Sequence, residues 1–266
     1  IENSAVKESY KKLYGSIYEE DKFIFTSINS ATLGKYAANV FLATKVAFIN
    51  EMADLAEQYG ADIDDIAKIM GSDDRIGNKF LKAGPGFGGS CFPKDTQALA
   101  QMAEQAELDL PLVRSVVDSN SSRVEKIMFK IKRLLSGQLR GKKIAILGLT
   151  FKANTDDIRA SQSIKLINLL VKNNAEIIAY DPQANIENIR DINFVVAKSA
   201  NDAIQNADLA CIMTEWEEFT KIDFKDLQKD IKKATILDCR NLLNSNDKRL
   251  LDINYFAVGK GFNRLK

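Results

Sequence analysis

The stretch 84–95, Gly-Pro-Gly-Phe-Gly-Gly-Ser-Cys-Phe-Pro-Lys-Asp, holds the residues best suited to chemistry. Glycine lets a backbone take φ > 0 and approach a ligand closely. Pro93 suits the first turn of a helix, where its missing N–H costs nothing. Residues 94–107 read as that helix, so Cys91 sits at its N-terminus beside a loop stripped of side chains. A helix N-terminus and a neighbouring Lys94 both favour thiolate over thiol. The pattern is that of a nucleophilic cysteine. The plain alternative is a small buried hydrophobe, and Cys211, within an apolar strand at 207–214, fits that instead. Cys239 reads as structural.

The chain has no histidine. A Ser-His-Asp or Cys-His device is therefore excluded within it. Acid–base work falls to Asp, Glu, Lys, Cys, Tyr or bound water. Lys35 and Asn39 stand four residues apart, on one face of a predicted helix over 31–59. A helical lysine is usually solvated. The apolar neighbours Leu33, Tyr36, Ala37 and Ala38 point instead to a lysine in a buried setting.

The elements that must carry these groups follow from the hydrophobic pattern. Residues 5–14 read as a short helix and 22–28 as a strand, capped into the next helix by Asn29 or Ser30. The helix over 31–59 ends at Gly60, and its apolar positions cover more than one face, as in a central helix buried on several sides. Helices are expected over 62–70 and 110–135, with a polar loop at 72–79 carrying Arg75. Residues 136–141 read as a boundary linker.

From Lys142 the pattern changes to strands at 144–148, 175–181, 207–214, 234–238 and 255–258. They alternate with helices at 161–172, 201–206 and 223–231. This is the signature of a doubly wound parallel sheet. Ligands bind such sheets beyond the C-terminal strand ends. Lys152, Arg159 and Arg240 fall there and suit phosphate, with a solvated surface charge as the alternative for Arg159. Only Gly148 of a GxGxxG loop is present, so a standard NAD pyrophosphate site does not fit.

At 266 residues and net charge +1, the chain has no overall pull toward nucleic acid or membrane. No apolar run reaches the ~20 residues that span a bilayer. Three scattered cysteines make neither a disulfide framework nor a zinc site, which fits a reducing cytoplasm.

The motifs together resemble the UDP-glucose/GDP-mannose dehydrogenase family. They are Lys35-Tyr36-Ala37-Ala38-Asn39 with Asn50-Glu51, Asp74-Arg75-Ile76-Gly77 with Lys79-Phe80-Leu81-Lys82, the Cys91 segment, and Gly148-Leu149-Thr150-Phe151-Lys152 with Asp156-Asp157-Ile158-Arg159. The resemblance implies an α/β protein with residues 1–29 as the remnant of an N-terminal NAD-binding Rossmann domain. A central all-helical dimerisation and catalytic domain follows at 30–136, then a Rossmann-like UDP-sugar-binding domain at 137–266. It further implies NAD as cofactor, UDP-glucose as substrate, and a homodimer formed through the helix 31–59. The Arg75 loop favours UDP-glucose over GDP-mannose or UDP-N-acetylhexosamines.

By the same resemblance Cys91 is the nucleophile, Lys35 stabilises oxyanions or relays protons, and Asn39 and Asp95 orient water and the lysine. Lys82, Ala83, Gly84, Pro85, Gly86, Phe87 and Gly88 wrap the UDP moiety, with Phe87 against it. Arg75 reaches the substrate across a subunit interface. Phe151, Lys152 and Arg240 hold the nucleotide end, while Cys91, Lys94 and Arg159 touch NAD. Two other classes remain open: a UDP-sugar-binding fragment without activity, and a thioester-forming hydrolase or transferase. The absence of histidine and the basic sheet edge weigh against the last.

Overall fold

The computed structural model describes residues 3–189, 192–222, 235–244, 247–250 and 253–261. The helix expected over 223–231 lies outside them, as does Ala234 at the start of the fourth expected strand.

Helix α1 (Ser4–Tyr14) starts at Asn3, whose side chain accepts from the Ala5 N–H. None of its residues is buried. The strand expected over 22–28 does not form. Glu20–Lys22 makes one 3₁₀ turn, residues 23–27 are irregular, and Ile28 already begins the long helix. A strand needs a neighbour to take its N–H and C=O groups, and none lies alongside among the described residues. Phe23 and Phe25 stack on each other instead, with the Lys7 ammonium over the Phe25 ring.

Helix α2 (Ile28–Tyr59) is capped by Ser27, which accepts from Ser30 N–H, rather than by Asn29 or Ser30. It ends where Gly60 turns left-handed at φ 69°. Val40, Ala43, Ala47, Asn50, Ala53 and Glu57 form its buried stripe, against α4 (Phe92–Gln105) and α5 (Pro111–Leu134). Leu33, Phe41, Phe48, Leu55 and Tyr59 are exposed. The expectation of burial on several sides is corrected in part: with Ile49 and Ala56 also buried, a broad arc is covered by three helices, while the face of Leu33, Phe41, Phe48, Leu55 and Tyr59 is open within this chain. Helix α3 (Ile63–Gly71) starts at Asp62, which caps it through Asp64 N–H.

The second half is a six-stranded, all-parallel sheet. Its strands are β1 (Lys143–Leu147), β2 (Glu176–Tyr180), β3 (Val195–Val196), β4 (Leu209–Ile212), β5 (Thr235–Asp238) and β6 (Asn254–Ala257). Their order is β3-β2-β1-β4-β5-β6, with Ile144 level with Ile177 on one side and Leu209 on the other. β3 is two exposed residues inside the short apolar run Phe194-Val195-Val196-Ala197, which was not assigned to a strand from the sequence. Helices α6 (Gln162–Lys172) and α7 (Ala200–Ile204) complete the crossovers described.

One apolar core joins both halves. Ile127 and Ile131 of α5, Leu166 and Leu170 of α6, and Ile144 and Ile146 of β1 belong to a single buried cluster. Each such side chain contributes about 1.5–3 kcal/mol relative to exposure. The helical domain is thus packed on the sheet, and the loop 84–91 lies along the seam between them.

Candidate active site

The glycine loop is held by polar side chains from both halves. Gly84 N–H donates to Asn50 Oδ1 at 2.8 Å, and Gly84 O accepts from Arg123 Nε at 2.9 Å. Phe87 N–H donates to Asn120 Oδ1 at 2.8 Å. Phe87 O accepts from Asn120 Nδ2 at 3.1 Å and from Gln162 Nε2 at 2.5 Å. Gly89 N–H donates to Arg159 O at 2.8 Å. Asn50, Asn120, Arg123 and Gln162 are all buried.

Glycine is required at two points. Gly86 has φ 106°, and a Cβ there would sit 2.7 Å from Asn120 Oδ1. Gly89 has φ 81°, and a Cβ would meet the Phe151 ring at 2.8 Å. Gly86→Ala should therefore cost roughly 2 kcal/mol or more from strain and displacement of Asn120. Urea unfolding checks this; an unchanged midpoint would show that the loop has room it lacks here.

Phe87 is not where the resemblance put it. Its ring is buried with Ala43, Ala47 and Val116, and meets Phe92 edge-on at 5.8 Å. The side chain belongs to the core, and the residue's N–H and C=O are taken by Asn120 and Gln162. Ala83, Gly84, Pro85 and Gly86 are also buried, whereas Lys82 is exposed and Gly88 half-buried.

Cys91 is exposed and occupies the N-cap of α4, with Pro93 in the first turn. Asp95 follows one turn later, its N–H bonded to Cys91 O at 2.8 Å. Its carboxylate is fully buried, and α2 reaches across to it. Lys35 Nζ donates to Asp95 Oδ2 at 2.7 Å, Asn39 Nδ2 donates to the same oxygen at 2.6 Å, and Lys94 Nζ bonds the other oxygen. Burial alone would raise this carboxyl's pKa. The bonds from Lys35, Lys94 and Asn39 outweigh it and hold Asp95 well below the usual carboxylate range. Asp95 raises the pKa of Lys94 through its hydrogen bond. Both lysine ammoniums also lie over the Tyr36 ring, at 5.2 and 5.8 Å.

Two expectations about these lysines change. Leu33, Ala37 and Ala38 are exposed, and Lys35 itself is largely so. Lys35 is fixed by the buried carboxylate it pairs with, not by an apolar setting. Lys94 likewise turns its ammonium to Asp95.

The sheet edge accounts for the missing dinucleotide loop. Asp181, at the end of β2, stands where a dinucleotide fold uses an acid for ribose. Here its Oδ2 accepts from Leu149 N, Thr150 N, Thr150 Oγ1 and Trp216 Nε1, and its Oδ1 from Gln183 N and Ala184 N. Ser161 caps α6 through Ser163 N–H, and the Phe87 carbonyl rests on Gln162 in the first turn. The helix terminus that would take a pyrophosphate is covered by the glycine loop. These residues do not fit a dinucleotide at this edge.

Arg240 is tied in rather than free: its Nε donates to Met213 O at 2.8 Å and its Nη2 to Phe151 O at 3.1 Å. Its Nη1 also lies 3.3 Å from where a Gly84 Cβ would be. Lys152 is exposed, with its ammonium 5.5 Å from the Phe151 ring centre. Arg159 is exposed and paired with Asp157, on the wall of a cavity of about 560 Å³ that Ile158 and Ile164 also line. The loop 84–91, Phe151, Arg159 and Arg240 therefore meet at one seam. Arg75 stands apart on an exposed loop, its guanidinium bonded to Asp73, while Lys45 Nζ donates to Ile76 O at 2.8 Å.

Asn120, Arg123 and Gln162 were not singled out from the sequence. The signal that could have found two of them is a polar residue in phase with an apolar helical stripe. Asn120 and Arg123 continue the register of Val113, Val116, Val124 and Ile127. Among the described residues no cluster suits a metal ion, and no helix is long and apolar enough to cross a membrane.

The fold and site define a two-part α/β protein, a helical domain joined to a Rossmann-like sheet, with an exposed thiol where the seam loop ends and a lysine–carboxylate pair one turn further within the helical domain. The chain belongs to the UDP-glucose/GDP-mannose dehydrogenase family: the family's central-domain model matches residues 29–122 and its UDP binding domain model matches 145–245. It is 41% identical over 263 residues to a UDP-glucose 6-dehydrogenase of Rickettsia prowazekii, covering 97% of this chain and 61% of that one. To the Rhizobium meliloti UDP-glucose 6-dehydrogenase it is 40% identical over 255 residues, 95% of this chain and 57% of the relative. Among solved structures, a UDP-glucose dehydrogenase from Pyrobaculum islandicum superposes with TM-score 0.86 at 27% identity, covering 98% of this chain and 57% of that chain. A UDP-D-ManNAc dehydrogenase from Pyrococcus horikoshii gives 0.79 at 25% identity, covering 97% and 58%. The chain spans about three fifths of the length of the curated relatives it matches.

Proposed function

We propose that this chain carries the thiol and UDP-sugar half of an NAD-dependent UDP-glucose 6-dehydrogenase, which oxidises the sugar's primary alcohol to a carboxylate. The observation that carries the reading is the exposed Cys91 at a helix N-terminus, one turn from a buried Asp95 that grips Lys35, Lys94 and Asn39. Relatives at about 40% identity bearing the UDP-glucose name support the substrate. The domain limits 30–136 and 137–266 are supported by the two family-model matches.

Oxidising an alcohol to an acid takes two two-electron steps. NAD, when bound, supplies the hydride acceptor. The sheet edge does not fit it, so this chain would touch it only through the exposed face of Cys91, Lys94 and Arg159. An aldehyde carbon has no sp³ C–H to give up until a nucleophile adds. The Cys91 thiolate adds to it, and the resulting oxyanion takes a proton to become a thiohemiacetal. Loss of the second hydride and that hydroxyl proton leaves a thioester. Water then attacks the thioester carbon, the C–S bond breaks, and the thiol returns with the acid. Lys35 is the cation nearest in kind to an oxyanion stabiliser and proton donor, and Asp95 with Asn39 fixes its direction. Phe151, Lys152, Arg240 and the peptides of 82–88 form the nucleotide side, with Arg75 added from a second copy. The exposed apolar face of α2, with Phe41, Phe48 and Leu55, suits that second copy.

The test uses the complete enzyme with UDP-glucose and NAD: two NADH per sugar supports the dehydrogenase. A second reading, a UDP-sugar-binding fragment without activity, is favoured for the chain alone by its three-fifths span. It is supported if the 266-residue chain binds UDP-glucose by calorimetry and forms no NADH. If the chain binds no UDP-glucose and the complete enzyme makes no NADH from it, the substrate assignment fails.

Lys35→Ala in the complete enzyme should lower kcat about 10²-fold or more while leaving UDP-glucose affinity within a few-fold. Normal turnover would return Lys35 to an ordinary solvated lysine.

A further inference from the structure

We propose that Asp181 is a positioning residue for the nucleotide side of the site: it fixes the segment 149–151 and so sets the affinity for a nucleoside diphosphate. The inference rests on the reading of Phe151, Lys152 and Arg240 as that side.

In this segment every backbone polar group is taken. Leu149 N–H and Thr150 N–H donate to Asp181 Oδ2 at 2.7 and 3.0 Å. Leu149 O accepts from Ser161 Oγ at 2.6 Å, and Thr150 O from Thr214 Oγ1 at 2.7 Å. Phe151 N–H donates to Asp157 O at 3.1 Å, and Phe151 O accepts from Arg240 Nη2 at 3.1 Å. Phe151 passes this fixity on in two directions. Its carbonyl aims the Arg240 guanidinium. Its side chain presses on the glycine loop: a Cβ at Gly89 would meet the ring at 2.8 Å, and one at Gly88 would meet the Phe151 Cβ at 3.2 Å. The nucleotide side is therefore built from this segment outward, on the sheet domain's half of the seam.

Asp181 is the anchor of the set. Gln183 and Ala184 N–H groups hold its Oδ1 in the turn after β2, which leaves Oδ2 for the neighbouring loops. Oδ2 takes the two peptide N–H groups, the Thr150 hydroxyl at 3.0 Å and Trp216 Nε1 at 3.1 Å, so the loops after β1 and β4 meet on one atom. These donors are neutral N–H and O–H groups, and the carboxylate, Thr150 and Trp216 are all buried. A buried carboxylate is a costly way to hold an ordinary turn. What it supplies beyond a neutral side chain is acceptors only, enough to fix both loops before a ligand arrives. Such preorganisation raises affinity, because the ordering cost is removed from the binding step.

The experiment is calorimetric titration of the full chain with UDP, beside urea unfolding followed by the emission of Trp216, the one tryptophan. Asp181→Asn turns one acceptor into a donor that faces other donors, and it should weaken UDP binding about tenfold or more. Thr150→Val removes only the hydroxyl bond and should weaken binding about threefold, while Thr150→Ser keeps the hydroxyl and should stay within about twofold of wild type. A role confined to stability would lower the urea midpoint and leave the dissociation constant of the folded chain unchanged. That result in Asp181→Asn and Thr150→Val overturns the proposal. If Asp181→Asn does not fold, the Thr150 pair decides, and equal UDP affinity in the Val and Ser variants overturns it. A wild-type chain that binds no UDP removes the nucleotide reading and the proposal with it. Wild-type binding that the variants keep undiminished removes the proposal alone.

Discussion

Cys91→Ser in the complete enzyme is expected to lower net formation of the sugar acid by about 10³-fold or more. A serine hydroxyl at the same N-cap keeps the shape of the loop and the Asp95 N–H bond to the residue 91 carbonyl. It does not keep the nucleophile: at neutral pH a hydroxyl is far less ionised than a thiol and adds weakly to a carbonyl. No histidine is available to activate it, since the chain has none. Lys35 and Lys94 are protonated partners of Asp95, poor bases for that task. The prediction is read as NADH and acid formed per sugar consumed, with UDP-glucose affinity measured beside it. Affinity near wild type with acid formation lost assigns the thiol to chemistry. Wild-type turnover of the variant would remove Cys91 from the mechanism and leave the exposed thiol without a role.

The parts of the site that share one short stretch of sequence were the legible ones. Cys91 and Asp95 stand four residues apart at the start of α4, and Lys35 and Asn39 four apart in α2, so helix periodicity alone puts each pair on one face. That the two faces meet at the Asp95 carboxylate is a tertiary fact no spacing records. The neighbourhood of Lys35 was misread for the same reason. Its apolar neighbours predict burial, but residues 28–38, Tyr36 excepted, are exposed all round the helix within this chain. A short apolar run such as 22–28 meets every local criterion for a strand, and pairing decides the matter. Phe87 illustrates a further limit: an aromatic in a glycine loop is as consistent with a ligand face as with a core plug, and only packing on Ala43, Ala47 and Val116 distinguishes them. The parallel sheet was legible because β1, β2, β4 and β5 are largely buried apolar runs, with the helices α6 and α7 between the first of them.

A larger effect on stability is expected from Asp54→Asn, remote from the thiol. Arg123 is 2% exposed and spans Gly84 O, Asn50 O and the Asp54 carboxylate, the last at 2.7 Å. Lys130 joins Asp54 to Glu57, and Glu57 accepts from Gly259 N–H at 2.8 Å, just past β6. A continuous polar chain therefore runs from the glycine loop through α5 and α2 to the far end of the sheet. Arg123 is buried but the Asp54 side chain is 26% exposed, so removing the carboxylate's charge should cost about 2–3 kcal/mol, less than for a fully buried pair. The asparagine keeps the shape and removes the carboxylate paired with Arg123, while Lys130 keeps Glu57. Burial alone would raise the Asp54 pKa. The nearby charges of Arg123 and Lys130, with hydrogen bonds from Lys126 and Arg123, lower it to about 2. The folded value thus lies below the ~3.9 of an unfolded aspartate. Its stabilising contribution, about 2–3 kcal/mol, is present above about pH 5 and is lost as pH falls through about 2. Urea unfolding should therefore show Asp54→Asn well below wild type at pH 7, with the gap narrowing as pH falls toward 3. A gap of the same size at pH 3 and pH 7 would mean that Asp54 is not held as a carboxylate by Arg123 and Lys130, and the polar chain through it would lose its central link.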